Sequence, residues 1–220
     1  MGMSPMPAHG PAEAGAPPDV LMDAAFRVFA ERGYRATRLD DVAEAVGVTK
    51  GAIYYYFEGK EDLLRRAVQH RHRAIFAEIA AALEGEEAPA SAKIRYVLRK
   101  VWRHWLDPEW GHALRLMLGE VSTEFPALFR MWAEVGPVHG WALLRGLIEQ
   151  GKRTGEFRPD VDAEVAARLV LSGLMLQAAL HVHMGLADMA PCDPDRIFDS
   201  SVELFLHGLT VTHGQLAREA

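Results

Sequence analysis

The sequence predicts an all-α protein, a small three-helix head followed by a larger helical domain. Three observations carry this reading. Apolar residues recur at helical spacing along most of the 220 residues. No stretch shows the period-two alternation of a half-buried strand. Breaks with Gly or Pro fall between the periodic stretches, at Asp107-Pro108, Phe125-Pro126, Gly155, Arg158-Pro159 and from Pro191 to Pro194.

Met1 to Pro18 is Ala, Gly, Pro and Met with almost no charge, so it cannot bury a core and is expected to be disordered. It lacks the basic start and continuous apolar run of a signal peptide. The first helix is expected over Asp19 to Arg32, with Leu21, Ala25, Val28 and Phe29 inward and Gly33 ending it. Tyr34 is expected to pack back on the head. Thr37 is placed to cap the next helix, with Asp40 three residues on. Leu39, Val42, Ala43 and Val46 then give one apolar face, and Gly47 falls where a left-handed residue is wanted. Thr49 can cap a third helix over Lys50 to Phe57, which turns Ile53 and Phe57 inward. Gly51, Tyr54 and Tyr55 point the other way, with Lys50 and Ala52 at the edges. An outward face of one cation, two phenols and two very small residues is odd for a solvated helix. It suits a helix laid against a flat, polar, negative surface, as in the major groove of DNA.

A fourth helix is expected from Gly59, its N-cap, to about Leu83. Its stripe is Leu63, Leu64, Ala67, Val68, Ile75 and Ile79. A helix of this length joins the head to the larger domain and offers a physical route for a signal. Further helices are expected over Ser91 to Leu106, Trp110 to Glu120, Phe125 to Thr154, Ala163 to Leu186 and Pro194 to His213. Gly136-Pro137 interrupts the third of these and is expected to kink it. In the last two, Val165, Leu169, Ser172, Gly173 and Leu176 form one stripe, and Phe198, Val202, Phe205, Leu206 and Leu209 another. By themselves these stripes close the core of their own subunit.

Composition excludes several classes. Half the residues are hydrophobic and a quarter charged, ordinary for a globular protein with a sizeable core. The single cysteine, Cys192, rules out an internal disulfide and a multi-cysteine zinc site, and fits a reducing cytoplasm. No sequence neighbour of Cys192 is basic enough to activate it. No apolar run approaches the ~20 residues of a membrane span, and the longest, Leu169 to Leu180, is broken by Ser172, Gly173 and Gln177. No membrane partner is expected. The net charge of −6 counts mildly against nucleic acid, but most of the excess acid lies after the head. His70 and His72, and His181 and His183, are two apart and face different ways on a helix, poor spacing for one metal ion. His104 and His112 are separated by a break. No Ser-His-Asp order, Gly-rich phosphate loop or paired catalytic carboxylates stand out. No enzyme activity, catalytic residue, cofactor or metal is expected.

The run Ala43-Glu44-Ala45-Val46-Gly47-Val48-Thr49-Lys50-Gly51-Ala52-Ile53-Tyr54-Tyr55-Tyr56-Phe57, followed by Lys60-Glu61-Asp62-Leu63, closely resembles the TetR/AcrR family of bacterial transcriptional regulators. The resemblance is strong over about Asp19 to Arg73 and one of architecture beyond. It implies a helix-turn-helix DNA-binding domain over 19–75 after the tail 1–18, and a helical effector-binding and dimerisation domain over 76–220. It implies phosphate contacts from Thr37, Thr49, Tyr55, Tyr56 and Lys60, which set register without reading sequence. Gly51 and Ala52 would let the backbone approach the bases, with Tyr54 on the same face. Lys50 would reach guanine acceptors or a phosphate. Two departures stand out. Arg38 replaces a frequent Ser or Thr, and Gly59 replaces a frequent Ser or Asn.

The resemblance also implies a pocket for a small hydrophobic effector in the Trp- and Met-rich larger domain. Expected lining residues are Trp102, Trp105, Met117, Glu120, Phe129, Trp132, Met175 and Gln177, with Trp110, Met131, Trp141 and His104 nearby. The competing reading of such side chains is plain core. The last two helices would meet their mates across a two-fold axis as a four-helix bundle, giving a homodimer on a near-palindromic double-stranded operator, most often as a repressor. The rival from another class is a metal- or small-molecule-handling helical protein without sequence-specific DNA binding.

Overall fold

The computed structural model describes residues 16–210. The head is α1 (Pro18–Arg32), α2 (Leu39–Val46) and α3 (Lys50–Tyr56). α1 starts one residue earlier than expected because Pro18 sits in the first helical turn, where a missing N–H costs nothing. Gly47 closes α2 in the left-handed region at φ 76°. The start of α2 departs from expectation. Arg38, not Thr37, is the N-cap residue, and its amide donates to Asp41 Oδ2 at 2.6 Å, so Asp41 rather than Asp40 closes the box. That hydrogen bond is the main cause holding the Asp41 carboxyl below its usual pKa.

The helices that follow are α4 (Lys60–Leu83), α5 (Ala90–Leu106), α6 (Pro108–Leu116), α7 (Ser122–Glu124), α8 (Pro126–Ala133), α9 (His139–Thr154), α10 (Ala163–Gln177), α11 (Leu186–Met189) and α12 (Pro194–Leu209). Three wider π turns occur, Met117–Val121, Glu134–Val138 and Ala178–His183; the second interrupts the helix expected over Phe125 to Thr154, and the other two lie toward the ends of the helices expected to finish at Glu120 and Leu186. At Glu134–Val138 the reason is visible. Pro137 has no N–H to give the preceding turn, and the expected kink is taken up as a π turn. The expected tail lies outside the described residues except for 16–18, as do residues 211–213 of the expected last helix.

Two apolar cores result. The first gathers Leu21, Phe29, Val42, Ile53, Phe57 and Leu64 of the head and the start of α4, then continues into Trp110, Leu114, Met117, Leu128 and Trp132. The head therefore shares its core with α6 and α8. The second packs Ile79 of α4 with α5, α9, α10 and α12, around Trp102, Leu144, Leu171 and Phe198.

Ala163–Leu180 is, by length and hydropathy, apolar enough to cross a membrane, and 39% of it is buried within the protein. The interruptions at Ser172, Gly173 and Gln177 are too few to prevent this. One face of α10, with Ala167, Leu171 and Leu174, enters the second core. The other leaves Val165, Leu169 and Leu176 exposed.

Candidate nucleic-acid interface and apolar cavity

α3 is a short helix fixed at both ends. Thr49 Oγ1 accepts from the Ala52 amide at 3.3 Å, as its position suggests, and the Phe57 amide donates to Ile53 O at 2.9 Å. Ile53 is fully buried, so the opposite face must look outward. That face presents Lys50, Gly51, Tyr54 and Tyr55, with the two phenols 54% and 74% exposed. Lys50 Nζ donates to Asp40 Oδ2 at 2.9 Å, and this hydrogen bond is the main cause raising the Lys50 pKa. Thr49 is exposed beside them. Tyr56 is half-buried against the head core, edge-on to Tyr55 at 4.8 Å.

Three expected DNA contacts are placed differently. Thr37 is buried, and its hydroxyl donates to Gly33 O at 2.7 Å, which removes it from any phosphate in this conformation. Ala52 is buried beside Ile53, its amide donating to Thr49 Oγ1. Lys60 is half-buried. Its ammonium donates to Arg35 O at 3.2 Å and sits 4.4 Å from the Tyr34 ring centroid, and desolvation lowers its pKa. It holds the connection between α1 and α2 in place.

A cavity lies between α4, α5, α6, α9 and α10, with about 50 Å³ of free volume. Of the expected lining, Trp105, Trp132 and Met175 are there. Trp102 is fully buried in the second core, its ring 5.9 Å from Phe198. Met117 is buried in the first core, and Phe129 packs on that core beside Trp132 at 5.5 Å. Gln177 is exposed. Glu120 does something else. Its carboxylate accepts from the Tyr34 amide at 3.1 Å and the Arg35 amide at 2.6 Å, tying the head's first connection to the π turn Met117–Val121. Gly33 makes room for it, with φ +87° and a would-be Cβ 2.9 Å from Glu120 Oε2. Arg35 pairs with Glu124 alongside.

The walls also include Phe76, Trp110, Gly136, Trp141, His104 and a residue the sequence reading missed, His72. A signal for it existed. Val68, His72, Ile75 and Ile79 run at helical spacing, so His72 sits on the buried stripe of α4. Burial, then the nearby His139, pushes the His72 pKa down to about 4. Burial, then His72 and Arg71, pushes that of His104 down to about 3. Both imidazoles are therefore neutral near pH 7. Trp110 lies against both, 5.0 Å from His72 and 4.0 Å from His104, and also against Phe26 of α1 at 4.9 Å. Among the described residues no group of three or more His, Cys, Asp or Glu is placed to hold a metal ion. The side chains of His181 and His183 lie outside the described residues.

Comparison with known proteins adds to this geometry. Residues 21–67 match the family described as bacterial regulatory proteins, tetR family. Residues 92–208 match the AefR-like transcriptional repressor C-terminal domain. The HTH-type transcriptional repressor KstR2 of Rhodococcus jostii is 28% identical over 184 residues, covering 76% of this chain and 81% of that protein. The fatty acid metabolism regulator protein of Bacillus subtilis is 26% identical over 152 residues, covering 68% and 75%. Among solved structures, the fatty acid degradation regulator FadR from Bacillus halodurans superposes with a TM-score of 0.73 at 24% identity, covering 89% of this chain and 97% of that one. FadR from Bacillus subtilis in complex with stearoyl-CoA gives 0.72 at 21% identity, covering 86% and 98%. At these identities the structural likeness speaks for the fold.

Proposed function

Since this chain belongs to the TetR family and is a DNA-binding transcriptional regulator, we propose that it is a homodimeric repressor of a near-palindromic operator, released by a small hydrophobic effector. The observation that carries the DNA reading is the patch Lys50, Gly51, Tyr54 and Tyr55, exposed on a helix whose other face is locked into the head. Two copies would read half-sites about 34–36 Å apart, or a multiple of that.

The dimer reading rests on α10 and α12. Leu169 is 69% exposed, Leu176 52% and Leu204 76%, an apolar face larger than a lone subunit has reason to show. Leu204→Glu is expected to yield monomers in sedimentation and to weaken operator binding with them. The effector reading rests on the apolar cavity. FadR of Bacillus subtilis takes stearoyl-CoA, and a long apolar ligand of that kind supports a hydrophobic effector here. The cavity of about 50 Å³ is far below the roughly 300–1,000 Å³ of a ligand pocket. Binding would push its walls apart, and Trp110 and the Glu120 turn would carry that push to the head. The protein would act in the cytoplasm, where the DNA is, without catalysing a reaction.

Footprinting on the DNA upstream of its own gene tests the reading. Expected is a protected stretch with two related half-sites. Absence of any protected site there and across a random-sequence selection would favour the rival without sequence-specific DNA binding.

A further inference from the structure

We propose that His72 and His104 read the ligand of this cavity, and that its buried part is uncharged, mainly apolar, and carries a hydroxyl or carbonyl oxygen bonded to one imidazole or both. This rests on the cavity being the effector site.

Among the described residues the lining contains no Asp, Glu, Lys or Arg. Apart from indole nitrogens, its polar side chains among those residues are His72, His104 and Ser172. His72 is 8% exposed. The Nε2 atoms of both histidines are buried and have no hydrogen-bond partner. A buried polar atom left unsatisfied is costly, so an oxygen brought to it by a ligand gains more than the same oxygen gains in water. Both rings lie against Trp110 and both residues line the cavity, so a ligand oxygen has two candidate imidazoles on that side. Gly136, within the π turn, lies against the His72 ring. A Cβ there would meet His72 Cε1 at 2.8 Å and Nε2 at 3.0 Å, so this close packing needs glycine, and a ligand oxygen reaches Nε2 only as the turn gives way.

Charge decides the ligand class. Arg71 is paired with Glu109 and Asp23, and Arg168, stacked on Trp141, is paired with Glu164; neither lines the cavity. His139 packs on Phe76, which also contacts His72, and the His139 charge works against protonation of His72. A neutral imidazole offers one donor and one acceptor, which matches a hydroxyl or a carbonyl. A carboxylate would meet no Lys or Arg among the described lining residues. At pH 7 a group of pKa about 4 carries its proton about one time in a thousand. Burying the anion beside neutral rings is the worse solution.

The test uses the intact protein at pH 7.5 with three probes of one shape: naphthalene, 2-naphthol and 2-naphthoate. Binding is read by quenching of tryptophan fluorescence, since Trp105, Trp110, Trp132 and Trp141 line the cavity, and DNA affinity is read in parallel. Expected is 2-naphthol tighter than naphthalene by about five- to tenfold, with 2-naphthoate weakest. His104→Phe and His72→Phe should each shrink the first gap to about twofold or less. His104 is the less buried of the two, so its variant keeps the test open if His72→Phe fails to fold. Equal affinity for naphthalene and 2-naphthol, preference for 2-naphthoate, or a gap untouched in both variants would overturn the inference and leave the effector site standing. No quenching by any probe, with DNA affinity unmoved, would remove the effector site and this inference with it.

Discussion

The head and the cavity wall treat buried polar groups in opposite ways. In the head, the buried Thr37 hydroxyl donates to Gly33, Thr49 caps α3, and Glu120 reaches over from the larger domain to accept two amides. In the cavity wall, two imidazole nitrogens have no partner, and nearby helices widen into π turns at Glu134–Val138 and Ala178–His183. A satisfied polar set favours one arrangement; an unsatisfied one has something to gain by rearranging. The head is thus built to be carried as a rigid piece, and the cavity wall to give. α6 touches both, because Trp110 meets Phe26 on one side and the two histidines on the other. In the proposed switch it offers a route for the signal alongside the long α4.

The largest effect separating the two regions should come from acid. His72 and His104 have folded pKa values of about 4 and about 3, against an ordinary 6.5. Between those values the unfolded chain binds more protons, so stability falls as pH drops below 6.5. At pH 5 the loss is on the order of 2 kcal/mol per imidazole. Urea midpoints at pH 7 and pH 5 measure it, and His104→Gln should remove about half of the difference. An unchanged difference would mean the wall is wetter than it looks.

Cutting the link between the regions should cost less. Glu120→Ala leaves the Tyr34 and Arg35 amides without their acceptor, a loss of roughly 1–3 kcal/mol. Glu120→Gln, which keeps one acceptor oxygen, should recover part of it. Thermal melts of both variants check this, and equal midpoints for wild type and Glu120→Ala would show that the two regions are not tied there. The smallest structural effect belongs to the outward patch. Lys50→Ala removes only an exposed pair with Asp40, so the melting midpoint should stay put. The salt dependence of DNA binding should become shallower by about one counterion.

The head was largely legible because its signals are local. Gly33, Gly47 and Thr49 mark helix ends within a few residues of the apolar face they bound, and α1 to α3 fall within one residue of expectation at either end. What it hid depends on how the turn closes. Nothing near Thr37 says that its hydroxyl will reach back to Gly33, and nothing near Lys60 says that it will point at Arg35. The cavity was much less legible. Tryptophans at helical spacing look alike whether they fill a core, as Trp102 does, or line a space, as Trp105 does. Glu120 meets partners 86 and 85 residues away, beyond any local pattern. A π turn adds no residue type of its own, and only Gly136-Pro137 announced one.

The proposed DNA recognition rests on the outward face of α3, and Tyr55, 74% exposed, probes it most directly. Tyr55→Ala should weaken operator binding about tenfold or more in a gel-shift titration, with an unchanged melting midpoint. Undiminished affinity in a folded variant would contradict the docking of this face on DNA.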